Sequence, residues 1–270
     1  MTVASASPPA EPHLPALIGG FAVLVAGLAL LTRRPPSGEI STGGRNLRHA
    51  LGYCAVYILA WACFGRVLSP ALSGRERSPW MLALGDVLFV TTGLFVWLIK
   101  LAERRTWASY GFRGSPAGRL LPTLIFGAGA AALFGMSSYL QVASGHTRIT
   151  PDALVYSLMY ATGGVALPEE MLFRGYLQGS LERHHRWVRI AGPALVFTVL
   201  RSVCLLPGVD LTPDRWLLYV LGMVLPLGLW WGLLRDIARG SLWPSFVSSF
   251  VIAFGRALAG APPVYPVGRH

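Results

Sequence analysis

Eight apolar runs of membrane-crossing length constrain this chain more than any other feature. They cover residues 14–32, 50–72, 80–100, 120–143, 153–180, 187–206, 216–234 and 241–258. An α-helix rises about 1.5 Å per residue, so about 20 apolar residues cross a hydrocarbon core. The breaks between the runs, such as 73–79 and 206–213, are clusters of Pro, Gly, Ser and Arg, which is turn chemistry. Charged residues make up only 13% of the 270, against 53% hydrophobic. A soluble chain carries roughly a quarter of its residues charged. The expected fold class is therefore all-α: a polytopic membrane helical bundle of about eight transmembrane helices, with lipid as its main solvent.

The organisation expected is a tail at 1–13, four transmembrane helices within 14–143, a second transmembrane unit at 150–258, and a tail at 259–270. The first tail holds no Lys or Arg, unlike the basic start of a signal peptide, so the run 14–32 reads as a retained span. The net charge is +11. Its Arg residues lie mainly in short loops, which favours topology control over nucleic-acid binding. Alternate loops on one side collect Arg33, Arg34, Arg45, Arg48, Lys100, Arg104, Arg105, Arg113, Arg119, Arg183, Arg186, Arg189, Arg235 and Arg239. The other side collects Arg75, Arg77, Arg148, Arg215 and Arg269. This bias of 14 to 5 places both termini outside the cytoplasm. The membrane expected is the bacterial cytoplasmic membrane. Cys54, Cys63 and Cys204 lie in apolar runs without metal or redox spacing, and read as packing residues.

Charges at membrane depth are costly and mark partners or cavities. Arg66, Asp86, Glu169, Glu170, Arg174, Arg201 and Arg256 fall there. Arg66 and Arg256 lie near span ends, where they can reach the interface. Asp86 reads as a helix-pairing group. The informative stretch is Pro168-Glu169-Glu170-Met171-Leu172-Phe173-Arg174-Gly175-Tyr176-Leu177. Glu170 and Arg174 are i,i+4 and share a helix face, while Glu169 is turned by about 100° and addresses another wall. Pro168 can kink the helix. Two readings of this stretch stay open: a carboxylate poised for acid–base work on water, and a buried ion network that fixes helix packing.

Glu-Glu-x-x-x-Arg followed by Gly-Tyr-Leu-Gln resembles the first signature of the CAAX prenyl endopeptidase and bacteriocin-processing family (CPBP, also called Abi). The resemblance covers roughly residues 150–258 and includes the Gly240-Ser241-Leu242-Trp243 entry to the last helix. It implies an eight-helix membrane bundle whose cavity opens toward the cytoplasm. It also implies hydrolysis of membrane-associated peptide or protein substrates, with the first Glu of the pair activating water. Carried over, that role falls to Glu169, supported by Glu170 and Arg174, with Arg201 as the fourth candidate catalytic residue.

The chain departs from the family at two places. A Phe-x-x-x-His motif is matched by Phe197-Thr198-Val199-Leu200-Arg201, so the His position holds Arg201. A His-x-x-x-Asn/Asp motif in the last helix is matched, counting from Gly240, by Ser249 and Ala253. Arg201 can stabilise an oxyanion but cannot exchange a proton as imidazole does. Two carboxylates without a nearby His make a poor transition-metal site, so neither a metal nor another cofactor is expected. His184 and His185 read as part of a basic stop sequence. The expected function is that of a CPBP-type intramembrane endopeptidase-like protein, with impaired catalysis left open. One alternative is a silent relative acting in peptide binding, bacteriocin immunity or protein sorting. The other is a small-solute transporter, against which the lack of an inverted repeat counts.

Overall fold

The computed structural model describes residues 47–73, 94–104, 106–114, 120–134, 140, 151–205 and 213–259. The run 14–32, Asp86, both tails, and the side chains of Arg66, Cys63 and Cys204 lie outside the described residues. Every regular element among the described residues is helical.

Helix α1 spans Leu47–Ser73, α2 residues 94–102, α3 the short turn Trp107–Tyr110, and α4 Leu120–Phe134. Helix α5 runs over residues 151–178 and changes geometry three times. It is α-helical at Pro151–Met159, π-helical at Tyr160–Ala166, α-helical at Leu167–Glu169, and π-helical again at Glu170–Gln178. Helix α6 spans Arg186–Leu205. Helix α7 covers residues 213–237 with a π-helical turn at Val220–Val224, and α8 spans Trp243–Leu258.

The widened turns of α5 have a local cause. Pro168 has no N–H to donate, and its ring crowds the carbonyl four residues back. Opening the helix around it relieves that crowding. Such π-helical turns are uncommon and concentrate at functional sites. Here one ends just before Leu167 and the other begins at Glu170 itself.

Helix α6 packs on α1 and α7, α8 packs on α4 and on the first π-helical turn of α5, and the second such turn packs on α1 and α6. An aromatic column forms the core at these crossings. Tyr53 meets Tyr176 edge-on at 5.3 Å, Phe173 meets Phe197 at 5.6 Å, and Phe197 meets Trp231 at 5.4 Å. Edge-to-face pairs at this spacing each add about 0.5–1.5 kcal/mol beyond their burial. Gly228 lets α7 approach α6 closely, because a Cβ there would lie 3.2 Å from Cα of Ala194.

The segment 213–237 contains Trp216–Ile237, which is long and apolar enough to cross a membrane, with a mean hydropathy of 1.9. Large apolar side chains also point outward from several other helices, among them Leu121, Ile125, Phe126, Val155, Leu195 and Val199.

One turn fixes how α3 meets the start of α8. Gly111 has φ of +110°, and its carbonyl accepts a hydrogen bond from the Leu242 N–H at 2.8 Å. A Cβ at residue 111 would lie 2.6 Å from the Gly240 carbonyl oxygen. Gly111→Ala is therefore expected to destabilise the protein by about 1–3 kcal/mol, read as a lower melting temperature in detergent. Gly114→Ala, on the same loop with open space around it, serves as the control.

Candidate functional site

The site is built where the middle of α5 faces α6 and α7. Glu169 ends the short α-helical turn after Pro168, and its carboxylate points at α6. Arg201 Nη2 lies 2.6 Å from it and donates to Oε2. At that length the contact is a charge-assisted hydrogen bond as well as an ion pair. Both side chains are largely buried.

The next residue, turned away by one helical step, makes a separate pair. Glu170 Oε1 lies 3.6 Å from Arg174 Nη1 with both side chains fully buried, an ion pair too long for a hydrogen bond. Arg174 Nη2 donates to the Gly228 carbonyl at 3.2 Å. Its guanidinium lies 4.7 Å from the Phe197 ring centre and 5.0 Å from that of Trp231. The Arg201 guanidinium lies 5.4 Å from the same Phe197 ring. One aromatic ring thus contacts both cations, which compensates them for the water they have lost.

Two carboxylates and two guanidinia make this buried set formally neutral. Neutrality matters because an uncompensated charge at such depth costs several kcal/mol. The structure brings Arg201 to Glu169 and leaves Glu170 with Arg174.

Ser249 and Ala253 lie one turn apart on α8. They line a cavity of about 60 Å³ together with Arg201, Phe197 and Trp231. That volume admits a few water molecules. Ser249 Oγ is buried and has no hydrogen-bond partner among the described residues. Its neighbour Ser248 accepts a hydrogen bond from Trp231 Nε1 at 3.1 Å. Neither Glu169 nor Glu170 lines the cavity, and Arg201 stands between it and Glu169.

Residues 150–254 match the family described as type II CAAX prenyl endopeptidase Rce1-like. Over these residues the chain is similar to that family. No curated protein and no solved structure matches the chain. The Rce1-like segment contains all six positions singled out from the sequence: Glu169, Glu170, Arg174, Arg201, Ser249 and Ala253. Among the described residues, no three His, Cys, Asp or Glu side chains gather where a metal ion could be held. His184 and His185 lie on the exposed turn between α5 and α6 and do not line the cavity.

Several residues of the segment escaped sequence reasoning. Phe197 entered only as a motif anchor, yet it touches both guanidinia. Gln178 Nε2 donates to the Gly232 carbonyl at 3.0 Å, one turn beyond the matching Arg174–Gly228 bond. This repeats the contact down the α5–α7 seam. The Gly228-x-x-x-Gly232 spacing was the available signal, since small residues at that interval allow close helix approach.

At the basic end of the segment, Arg186 and Arg189 both bind Asp236, the first at 2.8 Å, and Arg235 faces Glu182 at 3.6 Å. These arginines thus tie neighbouring helices together.

Proposed function

We propose that this chain is a multi-pass membrane protein with an Rce1-like unit that binds a membrane-associated peptide or protein without hydrolysing it by the family's glutamate route. The Arg201–Glu169 contact carries the proposal. A general base must have its water within hydrogen-bond reach. At Glu169 a guanidinium occupies that reach. Ser249 and Ala253 leave no imidazole or amide on the facing helix to hold a water or an oxyanion. The outward apolar side chains and the sequence's apolar runs support the multi-pass topology, with the bacterial cytoplasmic membrane as the location. Immunity or sorting roles fit such a protein better than transport, because Glu169, Glu170, Arg174 and Arg201 form closed pairs rather than a lined pathway.

Purified full-length protein, mixed with a library of membrane-anchored peptides, is expected to show no cleavage that Glu169→Ala abolishes. Robust Glu169-dependent cleavage would restore the divergent-endopeptidase reading.

Topology has its own test. Most of the cavity-lining residues of α6, α7 and α8, among them Arg201, Tyr219, Met223, Ala253 and Arg256, lie in the helix halves remote from Arg186, Arg235 and Trp243. If the basic loops are cytoplasmic, the cavity faces the opposite side of the membrane. A cytoplasm-facing cavity, implied by the family resemblance, requires the reverse insertion. The charge bias is the stronger argument for this chain. Reporter fusions at Arg105 and His185 should therefore read cytoplasmic, and a fusion after Thr147 external. The opposite pattern would invert the protein in the membrane.

A further inference from the structure

The cavity beside the carboxylate cluster carries charge of one sign. Arg201 and Arg256 line it, and among the described residues no Asp or Glu does. Arg201 is balanced by Glu169 behind it. Arg256 is not balanced in this way. Its Nη2 approaches Met223 Sδ at 3.7 Å, and no carboxylate lies within ion-pair distance of it among the described residues. The wall also holds Ser249, whose hydroxyl is buried without a hydrogen-bond partner among the described residues. Tyr160 and Tyr219 complete the polar part of the lining.

A cation with no carboxylate partner among the described residues, lining the same cavity as a hydroxyl without a hydrogen-bond partner, makes a receptor for an anion. Guanidinium presents a planar fork of donors that matches a carboxylate or phosphate, and a serine hydroxyl adds one more donor. The remaining wall is apolar and aromatic, including Leu227, Ile252 and Trp231. Such a wall suits the chain that carries the anionic group. Around this end, Met159, Leu217, Leu218 and Leu221 point outward, so the cavity lies among apolar surface that bilayer lipid would cover.

We propose that this cavity binds an oxyanion, a carboxylate or phosphate group, held by Arg256 and the Ser249 hydroxyl. The site is independent of whether Glu169 hydrolyses anything. The oxyanion has two possible sources, an amphiphile in the bilayer or a free anion in the aqueous phase, and the experiment separates them.

Full-length protein in a neutral detergent would be titrated with decanoate and decyl phosphate, with acetate and inorganic phosphate, and with decanol as the uncharged control. Calorimetry and the melting temperature serve as readouts. The wild type is expected to bind at least one oxyanion and to bind decanol much more weakly. Arg256→Gln should weaken that binding by about tenfold or more, and Ser249→Ala by about fivefold, the effects of losing a charged and a neutral hydrogen bond respectively. Arg256→Lys should retain part of the affinity, which separates the charge from the fold. Tighter binding of the decyl compounds than of their short counterparts assigns the site to a membrane amphiphile. Equal binding of the short anions assigns it to a soluble one. Failure of every oxyanion to bind, binding no better than that of decanol, or unchanged affinity in folded Arg256→Gln or Ser249→Ala would overturn the proposal.

Discussion

Arg201→His should destabilise the protein by about 3–5 kcal/mol and should yield no robust peptide hydrolysis, although it restores the family's residue at that position. The loss follows from the pair geometry. Glu169 is buried and takes its charge balance from Arg201 at 2.6 Å. Removing one partner of a buried pair leaves the other uncompensated, which is where the cost arises. Histidine is shorter than arginine and is not permanently charged. Hydrolysis does not return because Ser249 and Ala253 still occupy the facing positions on α8. The combination Arg201→His, Ser249→His, Ala253→Asn rebuilds both motifs on residues that line the same cavity. Of the two variants it alone should gain Glu169-dependent cleavage. Melting temperature and cleavage of a membrane-peptide library, measured on wild type, single and triple variants, check both statements.

Arg174→Leu should be at least as damaging, by about 3–5 kcal/mol, and should show as a collapse in detergent-stable yield. Arg174 is fully buried and ties α5 to α7 through the Gly228 carbonyl. Its loss strands the Glu170 carboxylate in a fully buried position. It also removes a cation that contacts both Phe197 and Trp231, each contact worth roughly 0.5–2 kcal/mol where water is excluded. Arg174→Lys should rescue little, since an ammonium cannot reach the carbonyl and the carboxylate with one planar fork. Arg174→Leu combined with Glu170→Gln should recover much of the loss, because no charge is then left alone. Equal yields of the single and double variants would show that the aromatic cage, not the ion pair, dominates.

Helix positions were largely legible in this sequence. The run 187–206 corresponds to Arg186–Leu205, and 241–258 to Trp243–Leu258. Proline, glycine and arginine punctuation locates such ends well, because each acts on the local backbone. The cluster was legible for a different reason: charges in apolar runs must find partners, and few were on offer. The π-helical turns were not legible. Pro168 announced a disturbance, but whether a helix kinks or widens depends on what packs against it. Nor was the cage around Arg174 legible, since Gly228 lies 54 residues away in sequence. The hydrogen bond from Tyr176 Oη to Glu103 joins elements still further apart in the chain. The short helix Trp107–Tyr110 falls in what reads as a basic loop, and its burial of Tyr110 against Tyr176 depends on tertiary contact alone.

The central claim is that Glu169 serves as the counter-ion of Arg201 rather than as a base acting on water. A double-mutant cycle of Glu169→Gln and Arg201→Gln, read as unfolding free energy of the full-length protein in detergent, measures it most directly. A structural pair predicts that each single change costs several kcal/mol, while the double variant lies within about 1 kcal/mol of wild type, since both uncompensated charges are then gone. Additive losses with a coupling below about 0.5 kcal/mol would contradict the claim and leave Glu169 free for chemistry.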